Sequence, residues 1–273
     1  MYAVSTALLA PVTFAYLGVS VLYLCAWVFR RRFLGRAATG LAWLTLAAHT
    51  AVIVLRWVGS YQLGIGQAPF SNLFESLVFF GWTLTLVYLL LELKTGMKVL
   101  GVFAMPLAFF AMLYAIKLDP TIKPLLPALK SNWLIAHVIT CFLGYAGFGV
   151  SAALGLMYLL TGQSRTPESS RALLLDDLIY QTVVVGFILL TAGIITGAVW
   201  ANQAWGNYWS WDPKETWSLI TWLVYAAMLH SRYLRGWYGK RLAVFSVVGF
   251  ACVLFTYFGV NLFLSGLHSY ASG

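Results

Sequence analysis

The residues of this chain best suited to chemistry are its four histidines, because a neutral imidazole nitrogen can ligate a metal ion. His49, His137, His230 and His268 all lie in or beside strongly apolar stretches. An ionisable residue in a membrane span is costly and is a functional candidate by default. Taken alone, each histidine is also typical of an ordinary core or interfacial residue. Whether a histidine is a candidate metal ligand therefore depends on where the helices place it.

Aromatic residues form a second group, concentrated in the stretch WANQAWGNYWSWDPKETW from Trp200 to Trp217. Membrane interfaces normally carry a ring or two at a helix end. Aromatic faces also stack on planar π-systems. The pattern therefore leaves two alternatives, a dense interfacial belt or a platform for a large flat ligand. The platform residues would be Trp200, Trp205, Tyr208, Trp209 and Trp211, with Gly206 permitting a tight turn.

The two carboxylates of this stretch, Asp212 and Glu215, surround Pro213. Asp is favoured at the N-cap of a helix, Pro at the first helical position, and Glu three residues after the cap can close a capping box. The segment DPKE therefore predicts the start of a helix. General acid–base work by the pair is possible but is not needed to explain them.

The elements that must position these residues follow from composition. Of 273 residues, 61% are hydrophobic and only 9% are charged, whereas a soluble domain is about half apolar and a quarter charged. We expect an all-α polytopic membrane protein, organised as one domain over residues 1–273. A span needs roughly 20 apolar residues, which predicts about eight transmembrane helices near 7–29, 38–58, 70–91, 97–116, 133–160, 179–200, 213–230 and 242–265.

The distribution of basic residues predicts the orientation. Twelve of the 17 Lys and Arg residues fall in alternate loops, at 30–37, 92–98, 161–178 and 231–241. By the positive-inside rule these loops are cytoplasmic, and both termini and the Trp-rich stretch are extracytoplasmic. The net charge of +9 is thus explained by membrane topology, and nucleic acid is not an expected partner.

With this topology, two histidines share a face with the Trp-rich stretch. His137 lies just inside the outer end of the fifth span, and His268 lies just past the outer end of the eighth. Two imidazoles beside an aromatic platform suit the axial ligation of a haem iron from both sides. This shared placement favours the platform over the belt.

The other two histidines are predicted deeper in the membrane. His230 lies about 26 Å along the seventh helix and His49 about 13 Å from the outer end of the second. His230 could bind a second haem, with its opposite axial ligand from another subunit. In the third span Glu75 is an acidic residue that needs a partner, and Arg56 at the outer end of the second span is the expected one.

Several segments resemble a known family. WANQAWGNYWSWDPKETW is similar to the tryptophan-rich WWD signature of haem-handling proteins, while DPKETW, LHSRYLRGW and GVNLFLSGLHSYASG resemble the CcsA (ResC) family of cytochrome c biogenesis proteins. The resemblance runs from HTAVIVLRW in the second span to the C-terminus. It implies an extracytoplasmic WWD loop that binds haem, with Asp212 as one of its cofactor-binding residues. It also implies iron ligation by His137 and His268 at an outer site and by His230 at a transmembrane site. His49 matches a histidine of the family and is a further candidate cofactor-binding residue, although the resemblance assigns it no particular role.

The resemblance further implies a System II haem exporter and holocytochrome c synthetase, acting as a cytochrome c haem lyase together with a CcsB (ResB) membrane subunit. Its substrates would be haem b and the CxxCH motif of apocytochrome c, with a thioredoxin-like thiol reductant as a further partner. The chain would lie among the lipids of the bacterial cytoplasmic membrane, or of the thylakoid membrane in a plastid.

Two other classes remain open as alternatives. Intramembrane Glu75, His49 and His230 also suit a transporter of ions or small molecules, although no inverted repeat is evident in the sequence. A non-catalytic scaffold for the partner subunit is the second alternative.

Overall fold

The computed structural model describes residues 1–162 and 169–264, and within these ranges the chain is helical and contains no strand. This confirms the predicted all-α polytopic fold. The nine α-helices of the described ranges are α1 (Tyr2–Phe29), α2 (Arg32–Gln62), α3 (Leu73–Thr95), α4 (Gly101–Ala115), α5 (Asn132–Leu160), α6 (Ser170–Trp205), α7 (Pro213–Arg235), α8 (Lys240–Leu254) and α9 (Val260–Phe263). Short 3-10 turns lie at Lys98–Leu100 and Pro127–Leu129, and a π-helical turn at Phe255–Gly259 joins α8 to α9.

Seven segments of the described ranges are long and apolar enough to cross a membrane. They are α1, α2, α3, α4 with its preceding turn, α5, α6, and α8 with its following turn. Each coincides with one of the predicted spans. The loop between α4 and α5 contains only the short turn at Pro127–Leu129, because Pro120, Pro124 and Pro127 interrupt longer helix formation.

The remaining predicted span, 213–230, forms α7 but is more polar than the other seven. It carries Lys214 and Glu215 in its first turn and Arg232 and Arg235 in its last, which lowers its hydropathy. Its 23 residues extend for about 35 Å, enough for a bilayer core of about 30 Å. The crossing of the membrane by α7 stays a prediction. The organisation of the chain as one domain over residues 1–273 also stays a prediction.

The helices fall into two compact units, which meet in sequence between Lys130 and Ser131. In the first unit, α1 packs against α2 and α4, and α3 packs against α4 and α2. In the second unit, α5 packs against α6 and α8, and α7 packs against α8 and α6. In the most apolar stretch of α5, 83% of the residues are buried, against 22% for α6. Helix α5 is therefore the central helix of the second unit.

A buried ion pair joins α2 to α3 in the first unit, as predicted. Arg56 Nε donates to Glu75 Oε1 at 3.0 Å, and the two side chains are 4% and 1% exposed. Arg56 Nη1 also donates to the Pro120 carbonyl at 2.7 Å, and the Ser71 amide donates to Glu75 Oε2 at 2.9 Å. These contacts compensate for the burial of both charges.

The first unit holds a second buried carboxylate, Glu92, which sequence reasoning did not identify. Its Oε1 accepts hydrogen bonds of 2.6 Å from Thr39 Oγ1 and from Lys98 Nζ. Its Oε2 accepts from the Tyr23 hydroxyl at 2.6 Å and from the Tyr88 hydroxyl. One carboxylate thus connects α1, α2 and α3 with the turn that precedes α4.

Candidate functional site

The candidate site is built around His137, which lies in the second turn of α5 and is half-buried. Its Nδ1 lies 2.7 Å from the carbonyl oxygen of Gly193 on α6. Because a carbonyl can only accept, Nδ1 carries the hydrogen, so in the neutral form of the ring the lone pair is on Nε2. Metal-ligating histidines are held in this way, with one ring N–H bound to a backbone carbonyl and the other nitrogen facing the metal.

A glycine on α6 makes room for this imidazole. A Cβ atom built on Gly197 would lie 2.5 Å from His137 Nδ1, which is closer than non-bonded atoms approach. Gly197 therefore determines where the imidazole can lie. Sequence reasoning missed this residue, although Gly193 and Gly197 are four residues apart and such spacing places both on one helix face.

Trp200 lies beside the imidazole rather than in the loop. Its indole is 2% exposed, and its ring plane lies within 17° of the His137 ring, with centroids 6.2 Å apart. Trp205 meets Trp200 edge-on, with centroids 4.9 Å apart. These two predicted platform residues are thus part of a packed cluster that supports His137.

Helix α6 is longer than the predicted span and ends only at Trp205. Gly206 terminates it with a left-handed φ of 81°, and its amide donates to the Asn202 carbonyl. The side chain of Ser131, the N-cap of α5, donates to Gln203 Oε1 at 2.8 Å. The beginning of α5 and the end of α6 are therefore fixed together, which places His137 and both tryptophans at one end of the second unit.

The loop between α6 and α7 carries the remaining aromatic residues of the predicted platform. Tyr208 is 60% and Trp211 is 68% exposed, whereas Trp209 is half-buried. The rings of Trp209 and Trp211 meet edge-on, with centroids 5.8 Å apart. Exposed aromatic rings in a short loop form an apolar, π-rich surface on which a planar ligand can stack.

Asp212 and Glu215 form the predicted capping box at the start of α7. Asp212 is 6% exposed, and its Oδ1 accepts from the Lys214 amide at 2.9 Å. Glu215 Oε2 accepts from the Asp212 amide at 3.2 Å. Asp212 therefore has a structural role that orients the loop relative to α7.

The other three histidines lie elsewhere. His230 lies near the end of α7, and its side chain is exposed. His49 on α2 is fully buried, with Nδ1 2.9 Å from the Tyr16 hydroxyl, and within the described residues its Nε2 has no hydrogen-bond partner. His268 lies outside the described residues. The structure thus brings Trp200 and Trp205 to His137, and it places His49 in the other unit.

Three comparisons relate the chain to known proteins. The family described as Cytochrome C assembly protein matches residues 70–268. The cytochrome c biogenesis protein CcsA of Pyropia yezoensis is 38% identical, over 95% of this chain and 96% of its own length. The CcsA proteins of Prochlorococcus marinus (strain MIT 9303) and Gloeobacter violaceus are 42% and 36% identical, over 81% and 96% of this chain and 80% and 95% of their own lengths.

A solved structure shares the fold. The cytochrome c haem lyase CcmF superposes on 99% of this chain with a TM-score of 0.73 and 22% sequence identity, and the match spans 48% of the CcmF chain. The extent of the sequence similarity to the CcsA proteins, rather than this likeness of fold, decides the family. The chain belongs to the cytochrome c assembly protein family, in its CcsA group.

Proposed function

We propose that this chain is the haem-presenting membrane subunit of a System II haem exporter and holocytochrome c synthetase, with a part in cytochrome c maturation. The observation that supports this best is the imidazole of His137. Its Nδ1 is bound to the Gly193 carbonyl, its ring lies nearly parallel to the indole of Trp200, and its Nε2 is the nitrogen able to ligate iron. The exposed rings of Tyr208 and Trp211 are the proposed surface for the porphyrin.

In this proposal haem b is the substrate. His137 and His268 would be the axial ligands at the outer site. The loop between α6 and α7 (residues 206–212, the Trp-rich loop) would hold the porphyrin and exclude water from its face. Each thiol of an apocytochrome CxxCH motif adds across one vinyl group, so that its sulfur forms the thioether and its hydrogen is retained by the product. The chain contributes mainly by positioning.

A second haem site is proposed at His230. Its imidazole lies on the exposed surface of α7. This position suits an iron ligand whose opposite axial ligand comes from another chain. A CcsB (ResB) type subunit is the proposed source of that partner. The buried position of His49 suits a site inside the first unit, so its role as a haem ligand stays a separate prediction.

The chain carries multiple membrane-spanning helices, and its relatives occur in organisms such as Prochlorococcus marinus and Pyropia yezoensis. We place it in a bacterial cytoplasmic membrane or a thylakoid membrane, with the Trp-rich loop on the extracytoplasmic side. Apocytochrome c and a thioredoxin-like thiol reductant would meet it there.

The test is the haem absorption spectrum of the chain purified with its CcsB-type partner. We expect a bis-histidine signal whose outer-site part is lost in the double variant His137→Ala, His268→Ala and is partly restored by added imidazole, while the part from the proposed His230 site stays. Thr140→Val, one turn further along α5, is the matched control and should keep the signal. Retention of the full signal by the double variant would refute the outer site. Solute flux through proteoliposomes that lack haem would favour a transporter instead.

A further inference from the structure

We propose that Glu215 is a positioning residue, whose carboxylate holds the backbone of residues 210–212 so that the indole of Trp211 is presented outward. The proposal rests on the haem-presenting function proposed above and adds a residue to it. Glu215 acts through Trp211, and no contact between its carboxylate and haem is part of the proposal.

The backbone of Trp211 has an uncommon conformation. Its φ is +59°, in the left-handed region, and among the described non-glycine residues only Arg30 shares this sign. Arg30 is the C-cap of α1, where such a conformation is usual, whereas Trp211 precedes the start of α7. A bulky residue keeps a positive φ only where its surroundings hold it there.

The indole itself does not provide that restraint, because Trp211 is 68% exposed. The restraint comes from Glu215, in the first turn of α7. Its Oε2 accepts from the Ser210 amide at 2.7 Å, from Ser210 Oγ at 3.2 Å and from the Asp212 amide at 3.2 Å. One carboxylate oxygen therefore binds the residues on both sides of Trp211.

These contacts exceed what helix capping requires. In a capping box the glutamate only has to accept a hydrogen bond from the N-cap amide, which here is that of Asp212. The two bonds from Ser210 extend the motif backwards across Trp211. In addition, Thr216 Oγ1 donates to the Trp211 carbonyl at 3.3 Å, so the Trp211 peptide is bound from α7 as well.

Presentation of the ring explains why this strain is retained. A glycine would adopt the same backbone at no steric cost, and an exposed tryptophan gains little from packing. Strained backbone that the surrounding structure maintains is characteristic of functional sites. The geometry therefore gives the carboxylate a role in aiming an aromatic ring, beyond beginning a helix.

The experiment compares four variants, co-expressed with the CcsB-type partner and a c-type cytochrome reporter. They are Glu215→Ala, Glu215→Gln, Trp211→Gly and the double variant Trp211→Gly, Glu215→Ala. The readout is covalent haem in the reporter, divided by the haem b that the purified complex retains. A purely structural defect lowers complex and product together and leaves this ratio unchanged, whereas misplacement of the ring lowers the ratio.

We expect Glu215→Ala to lower the ratio roughly 10- to 100-fold, as for other displaced binding groups. Glu215→Gln, which keeps an acceptor oxygen, should lose less. Trp211→Gly removes both the indole and the strain, so Glu215→Ala should have no further effect in that background. Asp119→Ala, which removes an exposed carboxylate paired with Lys123, is the matched control and should leave the ratio unchanged.

Two results would overturn the proposal. In the first, Trp211→Gly lowers the ratio of covalent haem to retained haem b, but Glu215→Ala leaves that ratio normal. This result would leave the haem-presenting function intact and remove the role of Glu215. The second is a further loss from Glu215→Ala in the Trp211→Gly background, which would show that the carboxylate acts elsewhere. Failure of the proposed function itself is recognised separately, by a haem signal that keeps its full strength in the double variant His137→Ala, His268→Ala.

Discussion

Among single residues, the position of the His137 imidazole depends on the absence of a side chain at Gly197. A Cβ there would lie 2.5 Å from Nδ1, so Gly197→Ala should displace the ring and break its bond to the Gly193 carbonyl. We expect the variant to fold and to lose most of the outer-site haem signal, as His137→Ala does. The measurement is the bis-histidine absorption of the purified complex.

Gly40 on α2 is the control for this substitution. A Cβ at Gly40 meets no atom within 4 Å, so Gly40→Ala should keep the haem signal. It should also raise the stability by about 0.4–1 kcal/mol through the lower entropy of the unfolded chain. A normal haem signal for Gly197→Ala would show that the imidazole is not fixed by this contact.

Local sequence patterns predicted most elements and two of the polar contacts. Apolar runs located the helices, the order Asp212, Pro213, Glu215 predicted the cap of α7, and the need to pair an intramembrane charge predicted Arg56 with Glu75. The end of α6 was misplaced, because hydropathy falls where a helix leaves the apolar layer, although ANQAW still suits a helix. The helix ends at Trp205 instead, with Gly206 as its C-cap.

Contacts between helices were not predictable in this way. The approach of Gly197 to His137 and the four donors around Glu92 depend on how helices pack, and one sequence does not specify that packing. The same limit applies to Trp200, which has the composition of an interfacial ring but is 2% exposed beside His137. Within the candidate site, the sequence therefore identified residue types, and the packing of α5 against α6 assigned their separate roles.

At the level of elements, the end of α7 is joined to α6 by Asp176. This carboxylate is 6% exposed and binds Arg232, and its Oδ1 accepts from the Gly239 amide at 2.6 Å. Asp176→Ala should leave a guanidinium and a buried amide without this acceptor. We expect a loss of about 1–3 kcal/mol in the free energy of unfolding, mainly from the unsatisfied Gly239 amide, because Arg232 keeps its bond to Asp177. The measurement is denaturation in detergent.

The adjacent Asp177 provides the comparison. It binds the same Arg232 at 2.8 Å, but its side chain is 62% exposed. An exposed ion pair contributes about 0–1 kcal/mol, so Asp177→Ala should be nearly neutral. Equal losses for the two variants would mean that burial does not determine the strength of this junction.

For the whole molecule, the main prediction is the topology, since haem presentation requires the Trp-rich loop to be outside. Tyr208 in that loop is 60% exposed and Tyr233 near the other end of α7 is 84% exposed. If α7 crosses the membrane, these two residues lie on opposite sides. We expect Tyr208→Cys, in a background in which Cys25, Cys141 and Cys252 are replaced, to react with a membrane-impermeant maleimide on intact cells.

Tyr233→Cys should react only after the membrane is permeabilised, because the loop 231–241 is rich in basic residues and is expected to be cytoplasmic. Labelling of both positions on intact cells would show that α7 lies at the surface, in keeping with its polar composition. Labelling of Tyr233→Cys alone would invert the orientation and place the aromatic loop in the cytoplasm. Because His137 lies at the same end of the second unit as this loop, the inverted orientation would also remove the proposed outer haem site from contact with an extracytoplasmic cytochrome.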